Sequence, residues 1–124
     1  MESCAVILPG GRRLAFGLFG AVRGTPVVAL HPAAVDWAPA QAAASRLRIR
    51  LVVPDPASAT DLAVLADALG IGGFGLIGMG DGADLAVACA AELGDRVTRL
   101  ALCCCPPTED RLAAVLGWFA GPCS

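Results

Sequence analysis

The sequence contains no lysine, asparagine or tyrosine, so all nine basic residues are arginine. Only 16% of the residues are charged, and the formal net charge is −2. Nucleic-acid binding needs clustered cations, which this charge balance does not supply, so we expect no nucleic-acid partner. The exclusive use of arginine is better explained by a GC-rich coding sequence than by selection for guanidinium chemistry.

The sequence also lacks the features of a targeted or membrane-spanning chain. No basic segment precedes the short apolar stretch after Met1–Cys4, so we do not expect a signal peptide. The uncharged run from Ala68 to Gly80 has 13 residues and is rich in glycine, too short to span a bilayer. These absences predict a cytoplasmic protein with no membrane contact.

The composition is apolar for a small protein. Hydrophobic residues make up 56% of the 124 residues, and the mean hydropathy is +0.69. One explanation is an apolar surface covered by a partner or a second copy, and the other is that abundant alanine inflates the value. No repeat, low-complexity tract or linker divides the chain, so residues 1–124 are expected to form one domain.

Six cysteines raise the question of disulfides or metal, but three of them are consecutive, at Cys103–Cys105, which fits no secreted scaffold. Adjacent strand residues point to opposite faces, so at most two of these three share a face. His31 is the only histidine and lies on a different strand end, so we expect neither a metal site nor a cofactor. The cysteines are interpreted as small buried hydrophobes; Cys4 and Cys123 could pair only if the termini meet.

Apolar runs separated by glycine and proline predict strands that alternate with helices. The predicted strands are residues 5–8, 13–19, 27–30, 49–53, 73–77 and 97–105. Three of the predicted helices are residues 37–46, 83–93 and 109–119. The fourth has Thr60 as its N-cap and ends at residue 69. The first two strands form a hairpin around Pro9–Gly11, and the rest form a mostly parallel sheet covered on both faces. The fold class is therefore α/β, a three-layer αβα arrangement.

Five segments, in this order and at compatible spacing, resemble the α/β-hydrolase family. They are the hairpin Leu8–Phe16, the strand and loop Thr25–Pro32, the pair Asp36–Trp37 with Val52–Asp55, the turn Leu76–Ala83 and the strand Arg96–Leu102. The resemblance implies the N-terminal half of the family fold, truncated after about the sixth strand.

The turn matters most, because in this family it is the nucleophile elbow, with the pattern G-x-S-x-G. Here the pattern is Gly78, Met79, Gly80, Asp81 and Gly82. The small flanking residues are kept, which favours the same tight turn. The central residue has no side chain and cannot attack a carbonyl, so we expect no serine-hydrolase catalysis.

Asp81 is the alternative nucleophile, since some family members use aspartate. Those members place it at the centre of the elbow, whereas a one-residue shift here would put Met79 and Ala83 on the flanks. Met79 is too large for a tight turn. We favour the interpretation that Asp81 and Asp84 lie in the first turn of a helix, where carboxylates interact favourably with the helix dipole.

The other parts of the family's site are also incomplete. The resemblance places His31 in the oxyanion loop with a structural role, whereas the catalytic base and acid would follow later strands. An oxyanion pocket would use the amides of Ala33 and Asp81. Pro32 replaces the usual glycine and removes one donor from that pocket.

These observations favour a noncatalytic α/β-hydrolase-like protein that binds a small apolar ligand or a protein partner. The expected binding residues are His31–Ala33 and Met79–Asp81. The main alternative is an ester-type hydrolase, acting through Asp81 or completed by a second chain. A third is a truncated gene product without a function of its own.

The last strand, Val97–Cys105, would be left at an edge of the sheet, and proteins normally protect such edges. We therefore expect either a homodimer or a partner chain at this edge, or coverage by the terminal helix with its Trp118–Phe119 pair. Charged residues at Leu100 and Leu102 should break such an assembly.

Overall fold

The computed structural model describes residues 2–30, 38–55, 58–80, 82–103 and 109–120. The strands are β1 (Glu2–Ile7), β2 (Arg13–Gly20), β3 (Thr25–Leu30), β4 (Ile49–Pro54), β5 (Phe74–Met79) and β6 (Val97–Cys103). The helices are α1 (Ala38–Arg46), α2 (Ala59–Ala68), α3 (Gly82–Leu93) and α4 (Glu109–Ala120), and a 3₁₀ turn covers Gly94–Arg96.

The six strands form one sheet in the order β1-β2-β4-β3-β5-β6. β1 and β2 are antiparallel, as predicted, and β2 is also antiparallel to β4. The pairs β3–β4, β3–β5 and β5–β6 are parallel. The predicted mostly parallel sheet with an N-terminal hairpin is therefore confirmed.

Helices cover both faces of this sheet, because successive strand residues point to opposite sides. One core cluster joins α2 and α3 to the sheet and includes Val28, Leu30, Val52, Leu62, Leu65, Leu76, Ala86 and Cys89. The other joins α1 and α4 to the opposite face and includes Val27, Ala29, Ala40, Ala44, Leu51, Ile77, Leu116 and Phe119. Two apolar layers on one sheet confirm the predicted αβα arrangement.

The start of α2 differs from the prediction that Thr60 is its N-cap, which is wrong. Ser58 is the N-cap, and its Oγ accepts a hydrogen bond from the Asp61 N–H at 3.2 Å. The Asp61 carboxylate in turn accepts from the Ser58 N–H at 3.2 Å, which completes a capping box. Thr60 already lies in the first turn, because the reciprocal pair fixes the helix start two residues earlier.

Asp61 also ties the hairpin to α2. Its carboxylate forms an ion pair with Arg12 of the β1–β2 turn at 2.6 Å, and its side chain is only 11% exposed. Burial raises the pKa of Asp61, but the hydrogen bonds from Ser58 and Arg12 and the arginine charge outweigh it and hold the pKa below its usual value.

The terminal helix α4 folds back on the sheet. Leu116 and Phe119 are buried, and the Phe119 ring occupies the space where a side chain at Gly75 of β5 would lie. Trp118 remains 49% exposed, packs edge-to-face on Phe119 with ring centroids 4.9 Å apart, and has the Arg99 guanidinium 5.0 Å from its ring. The helix thus covers a face of the sheet through Phe119 and leaves Trp118 near the β6 edge.

The cysteine interpretation is resolved for two residues. Cys89 is fully buried in the core, where burial and the nearby Glu92 raise the pKa of its thiol. Cys4 is half-buried, and neither forms a disulfide. The positions Cys104, Cys105 and Cys123 lie outside the described residues. In the described part of the chain, no helix is long and apolar enough to cross a membrane.

Candidate functional site

The elbow predicted from the sequence lies between β5 and α3. β5 ends at Met79 and α3 begins at Gly82, so the chain reverses from strand to helix within two residues. β5 lies between β3 and β6, with parallel neighbours on both sides. The turn therefore stands at the carboxyl edge of the sheet, where ligands of open α/β sheets bind.

Gly80 forms the centre of the turn. Its φ is +55°, in the left-handed region that glycine adopts without a steric penalty, and the residue is exposed. Its carbonyl accepts a hydrogen bond from the Ala83 N–H at 3.1 Å. The backbone alone thus closes the turn, and no side chain projects from its centre.

The flanking residue Gly78 lies against the start of α3. A Cβ atom on Gly78 would be 2.6 Å from Ala86 Cβ and 2.8 Å from Ala83 Cα, distances that no real Cβ contact shows. The second flank, Gly82, is buried. The close approach of strand and helix therefore requires glycine at position 78.

The side chain of Met79 does not face the exposed surface of the elbow. It is 3% exposed and belongs to the core cluster of α1 and α4, together with Ile77 and Leu116. A molecule bound at the turn would meet the backbone of Gly80 rather than the Met79 thioether.

The predicted site residues His31, Pro32, Ala33 and Asp81 lie outside the described residues. The strand before them is described: β3 ends at Leu30, whose register partner in β5 is Gly78. The strand that leads into the predicted oxyanion loop therefore ends beside the elbow.

Sequence reasoning missed the contribution of Ala86. Its small side chain is fully buried and lets α3 approach Gly78 closely. The signal was available, because Ala83 and Ala86 are three residues apart on a helix and so share one face. Within the described ranges, no three histidine, cysteine or acidic side chains come together in a way that could hold a metal ion.

No protein-family model and no curated protein matches the chain. Solved structures do match. An epoxide hydrolase from metagenomes of hot environments, assigned to the α/β-hydrolase superfamily, has 26% identity and a TM-score of 0.68 over 82% of this chain and 41% of its own.

Two further structures give the same result. An epoxide hydrolase of Vigna radiata has 21% identity and a TM-score of 0.69, over 82% of this chain and 37% of its own. A hypothetical protein of Pseudomonas aeruginosa has 32% identity and a TM-score of 0.66, over 82% of this chain and 43% of its own. The chain spans about two fifths of the length of these proteins. Its strand order, elbow and structural neighbours together show that the chain has the α/β-hydrolase fold.

Proposed function

We propose that this chain is a noncatalytic α/β-hydrolase-like protein that binds a small, largely apolar ligand through the backbone of its elbow. The observation that carries the proposal is Gly80. It keeps the left-handed backbone of a tight elbow turn and stays exposed, yet offers no nucleophile. The turn therefore keeps its shape without the reacting group.

The local chemistry suits a ligand with one carbonyl oxygen. α3 is 12 residues long, and the N–H groups of its first turn carry the positive end of the helix dipole. Such groups bind an oxygen atom whether or not a reaction follows. Because the Met79 side chain is buried, the rest of the ligand would lie over the glycine backbone of the elbow.

Ligand binding can be tested by titrating the ¹⁵N-labelled chain with 2-hexanone, an apolar ketone that a hydrolase does not consume. The amide resonances of Gly78, Gly80 and Gly82 should shift. Those of Gly72 and Gly117, which lie away from the elbow, should stay in place and serve as internal controls. A titration that moves no elbow amide of the folded protein would contradict the binding proposal.

The absence of catalysis is tested separately. The structural neighbours described as epoxide hydrolases define one substrate class, so both p-nitrophenyl butyrate and styrene oxide should be assayed. We expect no turnover above the buffer rate. Turnover that is lost in Asp81→Asn but kept in Asp84→Asn, the same change in the first turn of α3, would make Asp81 the catalytic carboxylate and overturn the proposal.

A second candidate is a hydrolase subunit completed by another chain. It is favoured by β6, which has no strand on its outer side within the described residues. Leu102 on this strand is 49% exposed. A partner could supply a base and an acid, but not easily a nucleophile at Gly80.

Light scattering combined with the ester assay distinguishes the two candidates. The noncatalytic protein should remain without turnover at every concentration, whether or not it dimerises. Turnover that appears together with an increase in mass would favour the completed hydrolase.

A further inference from the structure

The end of the sheet opposite the elbow collects positive charge. Four of the nine arginines lie there around the starts of β3 and β4: Arg23, Arg46, Arg48 and Arg50. A fifth, Arg96 before β6, is paired with Asp67. The loops before β3 and β4 are joined at this end, since the Ala21 N–H donates to the Ile49 carbonyl at 2.8 Å and the Thr25 N–H to the Arg48 carbonyl at 2.9 Å. Residues 20–30 and 38–54 contain no aspartate or glutamate. These four arginines, which lie between positions 23 and 50 of the sequence, are therefore at the same end of the folded domain.

A cleft of about 220 Å³ opens at this end, between the end of β2, the start of β4 and helix α1. Its walls include Leu18, Phe19, Ala21, Val22, Gln41 and Arg50. This volume equals that of roughly seven liquid water molecules and is below the range of drug-sized sites, so the cleft suits a small ligand. Its walls are mostly apolar, with one cationic group.

Arg50, which lines the cleft, has guanidinium N–H groups beyond the one that donates to the Leu69 carbonyl. It is half-buried, and its Nη1 donates to the Leu69 carbonyl at the end of α2 at 3.2 Å. A guanidinium carries five N–H groups, and no carboxylate of the described residues pairs with this one. Asp67, in the last turn of α2, is held by Arg96 at 2.9 Å.

Gln41 is fixed by the fold rather than left mobile. Its Oε1 accepts a hydrogen bond from the Gly20 N–H at 2.9 Å, and its Nε2 donates to Ser45 Oγ at 3.2 Å. These bonds hold its amide at the side of the cleft. Gln41 is therefore a fixed part of the cleft wall.

We infer that this cleft binds a small carboxylate with a short aliphatic chain. The planar guanidinium of Arg50 matches the two oxygens of a carboxylate, and the side chains of Leu18 and Val22 line the space for the chain. The surrounding arginines favour any anion, whereas the apolar wall selects one with a hydrocarbon tail. The inference does not depend on the proposed function of the elbow, which lies at the other end of the sheet.

The test is an amide-shift titration of the ¹⁵N-labelled chain with hexanoate, with hexanol and inorganic phosphate as matched ligands. Hexanoate should shift the amides of Ala21, Val22 and Arg50 and leave those of Gly78 and Gly80 unchanged. Hexanol and phosphate should produce no saturable shift at the same concentrations. An equal response to phosphate would show unspecific anion attraction, and an equal response to hexanol would show an apolar cleft only; either would overturn the inference.

Two variants localise the binding. Arg50→Gln should weaken hexanoate binding at least about tenfold, because a charge-assisted hydrogen bond is lost. Since Arg50 also binds the end of α2, Val22→Glu is the second variant. Val22 is 80% exposed, so the change should not disturb folding, yet it places a negative charge at the rim of the cleft.

The matched control is Ile7→Glu, which introduces the same charge at a residue that is 64% exposed and lies at the opposite end of the hairpin. Binding should weaken at least about threefold in Val22→Glu and remain unchanged in Ile7→Glu. Unchanged binding in Val22→Glu, or an equal loss in the control, would overturn the inference even if Arg50→Gln failed to fold.

Discussion

Replacing Gly78 by alanine should destabilise the protein, because the added methyl group does not fit between β5 and α3. The added methyl group would lie 2.6 Å from Ala86 Cβ, 2.8 Å from Ala83 Cα and 3.0 Å from the Gly82 carbonyl oxygen. Carbon atoms in contact prefer about 3.5–4.0 Å, so α3 would have to retreat by roughly 1 Å. None of these neighbours is the end of a flexible side chain, so the helix must move as a whole.

The expected magnitude follows from two opposing effects. Overpacking of a tight core costs about 1–3 kcal/mol, whereas replacing glycine by alanine gains about 0.4–1 kcal/mol through the unfolded chain. Because the neighbours cannot rotate away, the overpacking cost lies in the upper part of its range, about 2–3 kcal/mol, and the net loss is about 1–2.6 kcal/mol in the free energy of unfolding. For a domain of this size, that lowers the Tm by roughly 3–15 °C.

Chemical denaturation and thermal melts followed by circular dichroism would measure this loss. The control is Gly72→Ala, because a Cβ at Gly72 has no neighbour within 4 Å. That variant should be as stable as the wild type or slightly more stable. If Gly78→Ala were equally stable, the close approach of α3 to the elbow would not be a constraint on the sequence, and our account of the turn would be wrong.

Three further predictions concern other parts of the fold. The depressed pKa of Asp61 means that its stabilising contribution is complete above its unfolded pKa, about 3.9, and is lost as the pH falls through the folded value. Urea unfolding at several pH values should therefore show that the free energy of unfolding falls less at acidic pH in Asp61→Asn than in the wild type. The control is Asp67→Asn, in the exposed pair with Arg96, which should change the free energy of unfolding by less than about 1 kcal/mol. Leu116→Ala should cost about 2–5 kcal/mol because this α4 side chain is fully buried, and Trp118→Ala should cost clearly less; equal losses in denaturant melts would refute the described packing of α4. If the β6 edge mediates self-association, Leu102→Glu should lower the mass measured by light scattering without lowering the Tm, and an unchanged oligomeric mass would contradict that hypothesis.

The last prediction refines the one made from the sequence. Leu100 and Leu102 were both expected to serve as probes of the edge, but Leu100 packs partly against the core of α2 and α3. A charge at Leu100 would therefore destabilise the domain as well as disturb an interface. Leu102, at 49% exposure, isolates the edge.

Most of the architecture was predictable because it depends on local signals. Apolar runs bounded by Pro9–Gly11, Pro54 and Gly94 placed the six strands and four helices within a few residues. Helix starts were less certain. The sequence pattern predicted Thr60 as the N-cap of α2, whereas the reciprocal hydrogen bonds between Ser58 and Asp61 begin the helix after Ser58.

The sequence by itself determined the alternation of strands and helices, the hairpin, and the elbow with a glycine at its centre. The first two follow from periodicity and from residue types whose conformations are restricted wherever they stand, and the elbow follows from the resemblance to the α/β-hydrolase family. Only the tertiary structure decided that Met79 points into the core, that α4 covers a face of the sheet through Phe119, and that a cleft forms beside Arg50. Each depends on contacts between segments far apart in the chain, and local sequence patterns do not predict which segments come into contact.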